Sequence, residues 1–479
     1  MKKKDNLQHI AIINLGWKYL ERIIAQGIQL VVTLVLARIL MPEDYGIIAI
    51  ITIFTNILEV FIDSGLGNAL IQKKDASKVD FSSVFIFNLF ICVLLYSFMF
   101  ISAPWIAEFY NNKQLTDIIR VLCLTLIISG FKNVQQAYVA KNMLFKKFFY
   151  ATFIGRLISG SVGIIMAYQG MGVWALVAQQ LLSNLMDTLI LWLIVDWKPK
   201  FEFSNTHIKG LLNYGVKLLL SNLIDKIYWN SRSLIIGKLY TPSDLAFFDR
   251  GAQFPNLIVN NINASIDSVM FPVMSKCQDD RIKMRLIIRR AIVISTFAMM
   301  PLMACLAGVG ETLIPLLLTD KWLPCLPFLY IFCTTCGFES LTTTNVNAIK
   351  ALGRSDIMLG LELRKKAIGF VILLCAAPFG IMVIGYSCLL YSLVGMIINT
   401  RPIRNLLGYG LMDMLKDIKA NIFMSIVVFI SVYNLNGLEI DVFPRLTVQL
   451  FAGMSLYLFF ACVFRTNAYL YVKNYINRI

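Results

Sequence analysis

The sequence predicts an all-α polytopic membrane protein of about fourteen transmembrane helices, built as two parallel six-helix lobes and two further C-terminal helices. Three observations carry that prediction. Of 479 residues, 58% are hydrophobic and only 15% charged, where soluble domains carry about 25% charged, and the mean hydropathy is +0.70. Apolar runs long enough to cross a hydrocarbon core of ~30 Å, about 20 helical residues, recur along the whole chain. The first half of the sequence also returns in the second half, offset by about 200 residues.

The expected helices lie at roughly 10–40, 45–71, 82–102, 115–138, 149–169, 172–195, 208–238, 244–274, 286–310, 322–348, 357–378, 380–399, 418–434 and 443–464. They divide into a first lobe over 1–199, a second over 200–403 and a C-terminal pair over 404–479. The start, MKKKDNLQHI, is basic and runs into polar residues with no A-x-A-like site, so the first helix reads as a retained anchor. That helix closes in LARILMPEDYG, residues 36–46, where Pro42 ends one helix and Asp44 can cap the next.

In the fifth helix, Gly155, Ser159, Gly163 and Ala167 form a small-residue ridge at i+4 spacing, which permits close helix approach. The nearest thing to a phosphate-binding loop, Gly155-Arg-Leu-Ile-Ser-Gly160-Ser, overlaps this ridge but lacks the lysine and sits inside a helix. In the tenth helix, Cys333-Thr-Thr-Cys336 has redox spacing but no companion pair, and packing is its expected role. With only His9 and His207, no histidine metal site is expected. Loops of at most about 20 residues leave no room for a catalytic domain, and neither H-E-x-x-H nor G-x-S-x-G occurs. The expectation is a non-enzyme without a bound cofactor.

The net charge of +16 is topological. Alternate connections and both ends hold 30 of the 44 Lys and Arg, including Lys2–Lys4, Lys141, Lys146, Arg285, Arg354, Arg364, Arg401 and Arg404; the other loops hold only Lys113, Lys238, Lys321 and Arg445. The positive-inside rule then places both termini in the cytoplasm. No nucleic-acid partner is needed to explain the basicity.

At an offset of 200, Pro42, Asp44, Phe54, Asn56 and Ile62 recur as Pro242, Asp244, Phe254, Asn256 and Ile262; at 199, Asn14, Gly16 and Lys18 recur as Asn213, Gly215 and Lys217. Six helices separate the copies, so they share one orientation. Matching helices also carry matching polar stripes. On the first, Lys18, Arg22, Gln26, Gln29 and Thr33 fall within an arc of about 80° at 100° per residue. The seventh has Lys217, Ser221, Asp225, Tyr228 and Arg232. Thr52, Asn56, Glu59 and Asp63 mark the second; Asp249, Gln253, Asn256, Asn260, Asn263 and Asp267 mark the eighth. A charge in hydrocarbon costs at least ~2.5–3.5 kcal/mol, so such faces turn to the bundle interior or to water. A hydrated cavity lined by the first, second, seventh and eighth helices satisfies this. The bland alternative is a structural ion-pair network, since residues at equal depth across the short hairpins match Lys18 with Asp63, Arg22 with Glu59 and Arg232 with Asp249.

The stretches LARILMPEDYGIIAI, SGLGNALIQKKD, GMGVWALVAQQ, FFDRGAQFPN, FPVMSKCQDD, DKWLPCLPFL and ALGRSD occur in order over about residues 13–400. Together they resemble Wzx-type polysaccharide and O-antigen exporters of the colanic-acid-exporter kind, in the multidrug/oligosaccharidyl-lipid/polysaccharide flippase superfamily. The resemblance implies a bacterial inner-membrane flippase that moves an undecaprenyl-diphosphate-linked oligosaccharide to the periplasmic leaflet by alternating access. It implies a bilayer setting, alongside a polysaccharide polymerase and a chain-length regulator. Lys18, Arg22 and Lys217 are the counterparts of the family's pyrophosphate-binding cations, and Arg232 lies on the same stripe. The amides Gln26, Gln29, Gln253, Asn256, Asn260 and Asn263 suit sugar hydroxyls, because they both donate and accept. Acids interleave with these cations, which leaves room for H+ or Na+ coupling through Glu59, Asp63, Asp225 or Asp267. The alternatives are a cation-coupled multidrug exporter of the same superfamily, a membrane glycosyltransferase or polymerase, and a non-transporting scaffold. The short, charge-poor external loops weigh against the enzyme, and four matched stripes weigh against the scaffold.

Overall fold

The computed structural model describes residues 2–63, 66–73, 77–200, 202–466 and 468–471. The side chains of Asp63 and Lys217 lie outside that description. Among the described residues the chain is helical with no strand, and it forms two compact units, Met1–Ala246 and Phe247–Ile479. Among the described residues, ten helical segments are long and apolar enough to cross a membrane. This is a multi-pass membrane protein.

The first unit contains α1 (Lys2–Ile39), α2 (Pro42–Asp63), the short α3 (Leu66–Gln72), α4 (Lys78–Phe109), α5 (Leu115–Leu122), α6 (Leu124–Lys141), α7 (Phe145–Tyr168), α8 (Val173–Ile194) and α9 (Asn205–Leu239). The predicted helix at 115–138 is thus two helices joined at Cys123. No Gly or Pro announces that break. The Thr125 hydroxyl donates to the Leu122 carbonyl at 2.7 Å, a local side-chain bond of the kind that competes with regular helix pairing.

The small-residue ridge of α7 packs as its spacing predicts. A Cβ added at Gly155 would lie 2.5 Å from Asp187 Oδ1 on α8, and one at Gly163 would lie 2.8 Å from Gln179 Cβ. In a bilayer, lipid tails are as apolar as leucine, so this close van der Waals fit is what holds α7 to α8. Lys73, just after α3, is pinned as well. Lys73 bridges the fully buried Asp80 at 2.8 Å, and Asp80 and Ser77 cap α4 reciprocally.

The repeated hairpins have the local structure their residues require. Asp44 accepts from the Met41 N–H at 3.1 Å at the start of α2. At the second copy, Asp244 accepts from the Thr241 N–H at 3.1 Å while the Thr241 hydroxyl accepts from the Asp244 N–H at 3.2 Å, a complete capping box. Gly46 lies against Pro242 so closely that a Cβ there would fall 1.8 Å from the Pro242 carbonyl oxygen. The two copies of the motif therefore meet backbone to backbone.

The unit boundary falls inside α10 (Pro242–Ser275). The second unit continues with α11 (Arg281–Gly308), α12 (Gly310–Leu318), α13 (Leu326–Gly337), α14 (Glu339–Ala351), α15 (Ser355–Ala376), α16 (Ile381–Leu407), α17 (Leu411–Asn434) and α18 (Val442–Val463). The predicted helix at 322–348 is a 3-10 turn over Asp320–Cys325 followed by α13 and α14. Its core gathers Met284, Ile288, Ile292, Leu341, Ile349 and Ile403. The C-terminal pair belongs to this unit: Asn421 of α17 donates to the Val293 carbonyl at 3.2 Å, and the Tyr457 hydroxyl of α18 donates to the Phe297 carbonyl at 3.0 Å. Cys333 and Cys336 are buried free thiols, as packing residues would be.

Candidate functional site

In the first unit the polar stripe of α1 has two halves. Lys18 and Arg22 are exposed toward its N-terminal end, with Lys18 Nζ 5.6 Å from the Phe145 ring centroid. Arg22 and Gln26 are exposed and have no ion pair or hydrogen bond among the described residues. The expected Arg22–Glu59 bridge is not formed; Glu59 is half-buried and engaged elsewhere. One turn further along α1 the stripe is tied inward. Arg156 of α7 donates to Gln29 Oε1, and Gln29 Nε2 donates to the Thr33 hydroxyl at 3.2 Å.

That hydrogen bond leads into a cluster that lies outside the four matched stripes. Lys132 of α6 donates to Asn184 Oδ1 of α8 at 2.9 Å. Asp187, one turn along α8, has a buried Oδ1 with no hydrogen-bond partner, and Lys132, Arg156 and Glu21 are its charged neighbours. Two cations and two acids thus converge from α1, α6, α7 and α8. The signal was present in the sequence: each of these three further helices carries an ionisable residue in an apolar run, which is by itself a pointer to function. The matched stripes run only on the first, second, seventh and eighth helices, so these three fall outside them.

Other predicted residues are distributed as follows. Asp225 of α9 is half-buried and has partners; Arg232 is buried with its guanidinium 5.7 Å from the Tyr228 ring centroid. In the second unit, Gln253 accepts from Arg250 at 2.6 Å, and Arg250 lies over the Trp322 ring at 4.8 Å. Asn256 accepts a long contact from Cys336 Sγ at 3.7 Å. Asp267 accepts from Asn347 of α14 at 2.5 Å. Asn260 is exposed and makes no hydrogen bond among the described residues, while Asn263 Oδ1 is buried without one. Gln253, Asn256 and Asp267 therefore contribute to packing within their own unit, whereas Lys18, Arg22, Gln26 and Asn260 present polar groups that make no hydrogen bond among the described residues.

The family model described as polysaccharide biosynthesis protein matches residues 35–327. The chain belongs to that family. It is 22% identical over 345 residues to the succinoglycan biosynthesis transport protein ExoT of Rhizobium meliloti (strain 1021), covering 72% of this chain and 70% of that protein. It is 21% identical over 360 residues to the lipopolysaccharide biosynthesis protein WzxC of Escherichia coli (strain K12), covering 74% and 72%. Among solved structures, the lipid II flippase MurJ in an inward closed conformation superposes with a TM-score of 0.74 at 14% identity, over 95% of this chain and 98% of that one. An inward-facing MATE multidrug transporter gives 0.58 at 15% identity, over 79% and 94%. The chain therefore has the fold of these two transporters.

Proposed function

We propose that the protein is a flippase for undecaprenyl-diphosphate-linked oligosaccharide repeat units, working by alternating access in the bacterial inner membrane with both termini cytoplasmic. The observation that carries this reading is the family match over residues 35–327 in a chain whose fold superposes on MurJ over 95% of its length. The names of the relatives, a succinoglycan transport protein and a lipopolysaccharide biosynthesis protein, support the substrate class. The multidrug-exporter alternative has weaker support, because the MATE structure matches less of the chain at a lower score.

The chemistry asked of the site is modest. A diphosphate carries its charge on oxygens that accept charge-assisted hydrogen bonds, and the exposed cations Lys18 and Arg22 supply donors for them. Lys217 is the third cation proposed for this role, and Arg232 belongs to the same stripe. The amides of Gln26, Asn260 and Asn263 can bind sugar hydroxyls in either sense; Gln29, Gln253 and Asn256 would first exchange their present partners. No residue is asked to break a covalent bond, so the protein acts as a transporter without a cofactor. Coupling to H+ or Na+ is assigned to the acids Glu59, Asp63, Asp225 and Asp267, with a polymerase and a chain-length regulator acting on the delivered units.

Deleting the gene in its host and locating lipid-linked intermediates by leaflet tests the proposal. Complete units trapped on the cytoplasmic side, and released by wild type but not by Arg22→Ala, are expected. Units that reach the outer leaflet and stay unpolymerised would instead assign the polymerase.

A further inference from the structure

Three of the arginines that topology alone explained share one pocket. The pocket lies in the second unit, where α15 begins and α16 ends, and has a volume of about 600 Å³. That is within the ~300–1,000 Å³ range of small-molecule sites. Arg354, Arg364 and Arg401 line it together with the apolar side chains of Ile357, Ile368 and Ile398. On α15, positions 357, 361, 364 and 368 follow helical spacing along one face, and on α16 residues 398, 401, 402 and 405 do the same. The two faces form the walls of a groove.

Among the described residues the charges are not balanced. Arg354 is held in a fork by Asp356, with Nε–Oδ1 at 2.9 Å and Nη2–Oδ2 at 2.8 Å. This pair is the Arg-Ser-Asp of the ALGRSD motif, for which transport gave no role. Arg364 and Arg401 are exposed and have no ion pair or hydrogen bond among the described residues. Three guanidinium groups against one carboxylate leave the lining with a charge of +2. Arg364 lies nine residues into α15, about 13 Å along the helix at 1.5 Å per residue. Below it the same helix continues into the exposed apolar residues Phe370, Val371 and Leu374.

A headgroup-sized basic pocket that opens onto an apolar helix surface has the polarity profile of an anionic lipid. Basic pockets between transmembrane helices on the cytoplasmic side are a recurring form of such recognition. We propose that this groove binds an anionic glycerophospholipid of the surrounding leaflet. Arg364 and Arg401 hold the phosphate in their planar forks, Arg354–Asp356 forms the rim, and an acyl chain lies along Ile368 and Ile398. The site does not depend on what the protein transports.

The test uses the full-length purified protein, delipidated in neutral detergent, with lipid binding followed by native mass spectrometry. Dioctanoyl-phosphatidylglycerol should bind at least tenfold more tightly than dioctanoyl-phosphatidylcholine. R364Q and R401Q should each weaken phosphatidylglycerol binding about tenfold, R364K should recover part of it, and the exposed control R281Q should change nothing. Equal binding of the two lipids by wild type would overturn the proposal, and this comparison holds even if a variant fails to fold. Well-folded R364Q and R401Q proteins that bind phosphatidylglycerol as wild type does would also overturn it. Two competitors separate other sources of the same phosphate chemistry. Displacement by inorganic phosphate at equal concentration would make this a free-anion site, and preferential displacement by undecaprenyl diphosphate would make it a substrate entry site.

Discussion

The backbone contact between the repeated hairpins gives the sharpest structural prediction. Replacing Gly46 with alanine would place a Cβ 1.8 Å from the Pro242 carbonyl oxygen, 2.3 Å from its carbonyl carbon and 2.7 Å from its Cα. None of these atoms belongs to a flexible side-chain tip. The Pro242 backbone has to retreat by at least 1.2 Å for the oxygen to reach even 3.0 Å. Overpacking of this kind costs about 1–3 kcal/mol, of which alanine's helix preference returns about 0.5–1 kcal/mol. The expected net loss is about 1–2 kcal/mol. Gly16, on α1, is the control, because nothing lies within 4 Å of its Cβ position; Gly16→Ala should be neutral or slightly stabilising. All ten cysteines are free and six are buried, so a thiol-reactive dye reports thermal unfolding of the detergent-purified protein without added labels. At about 2.1 cal/mol/K per residue, the 479 residues melt with roughly 1 kcal/mol/K, so Gly46→Ala should melt about 1–2 °C below wild type. Equal melting of wild type and Gly46→Ala would refute the close approach.

Other outcomes follow from the polar residues. Lys18→Ala and Arg22→Ala should each insert normally but bind the lipid diphosphate roughly 10- to 100-fold more weakly, since a hydrogen bond to a charged group contributes about 1.5–3 kcal/mol; titration with undecaprenyl diphosphate checks this. Arg156→Met removes the donor to Gln29 and one cation beside Asp187. It should destabilise more than the double variant Arg156→Met/Asp187→Asn, a non-additivity readable in a thermal-unfolding cycle. The Tyr409 phenol is held above its ordinary value by burial and by its 2.8 Å hydrogen bond to Asp417. A folded value above the unfolded ~10 means its contribution is fully present below pH 10 and lost as pH rises further. Tyr409→Phe should therefore flatten the alkaline arm of the stability curve.

Much of the fold was legible because hydropathy is read residue by residue. The four predicted spans that fall outside the ten apolar segments are α9, α10, α15 and the α5–α6 pair. They are interrupted or polar: α10 carries the Asn and Gln stripe, and Glu362, Arg364, Lys365 and Lys366 crowd α15. Helix breaks were less visible, since Cys123 and Phe338 are ordinary helix residues and a threonine such as Thr125 bonds back to its own helix in unbroken helices too. The capping roles of Asp44 and Asp244 could be read because they depend on neighbours in sequence. Which polar groups stay free could not. Gln29 and Arg22 look equivalent on a helical wheel, but α7 approaches α1 where Gly160 meets Val32 and brings Arg156 to Gln29 alone.

The central claim is tested most directly by reconstitution. Purified protein would be placed in liposomes carrying a fluorescent undecaprenyl-diphosphate-linked sugar, and transbilayer movement followed by a membrane-impermeant quencher. Wild type should render the inner-leaflet pool accessible, with Lys18→Ala and Arg22→Ala markedly slower. No movement beyond protein-free liposomes, or equal rates in wild type and both variants, would contradict the account.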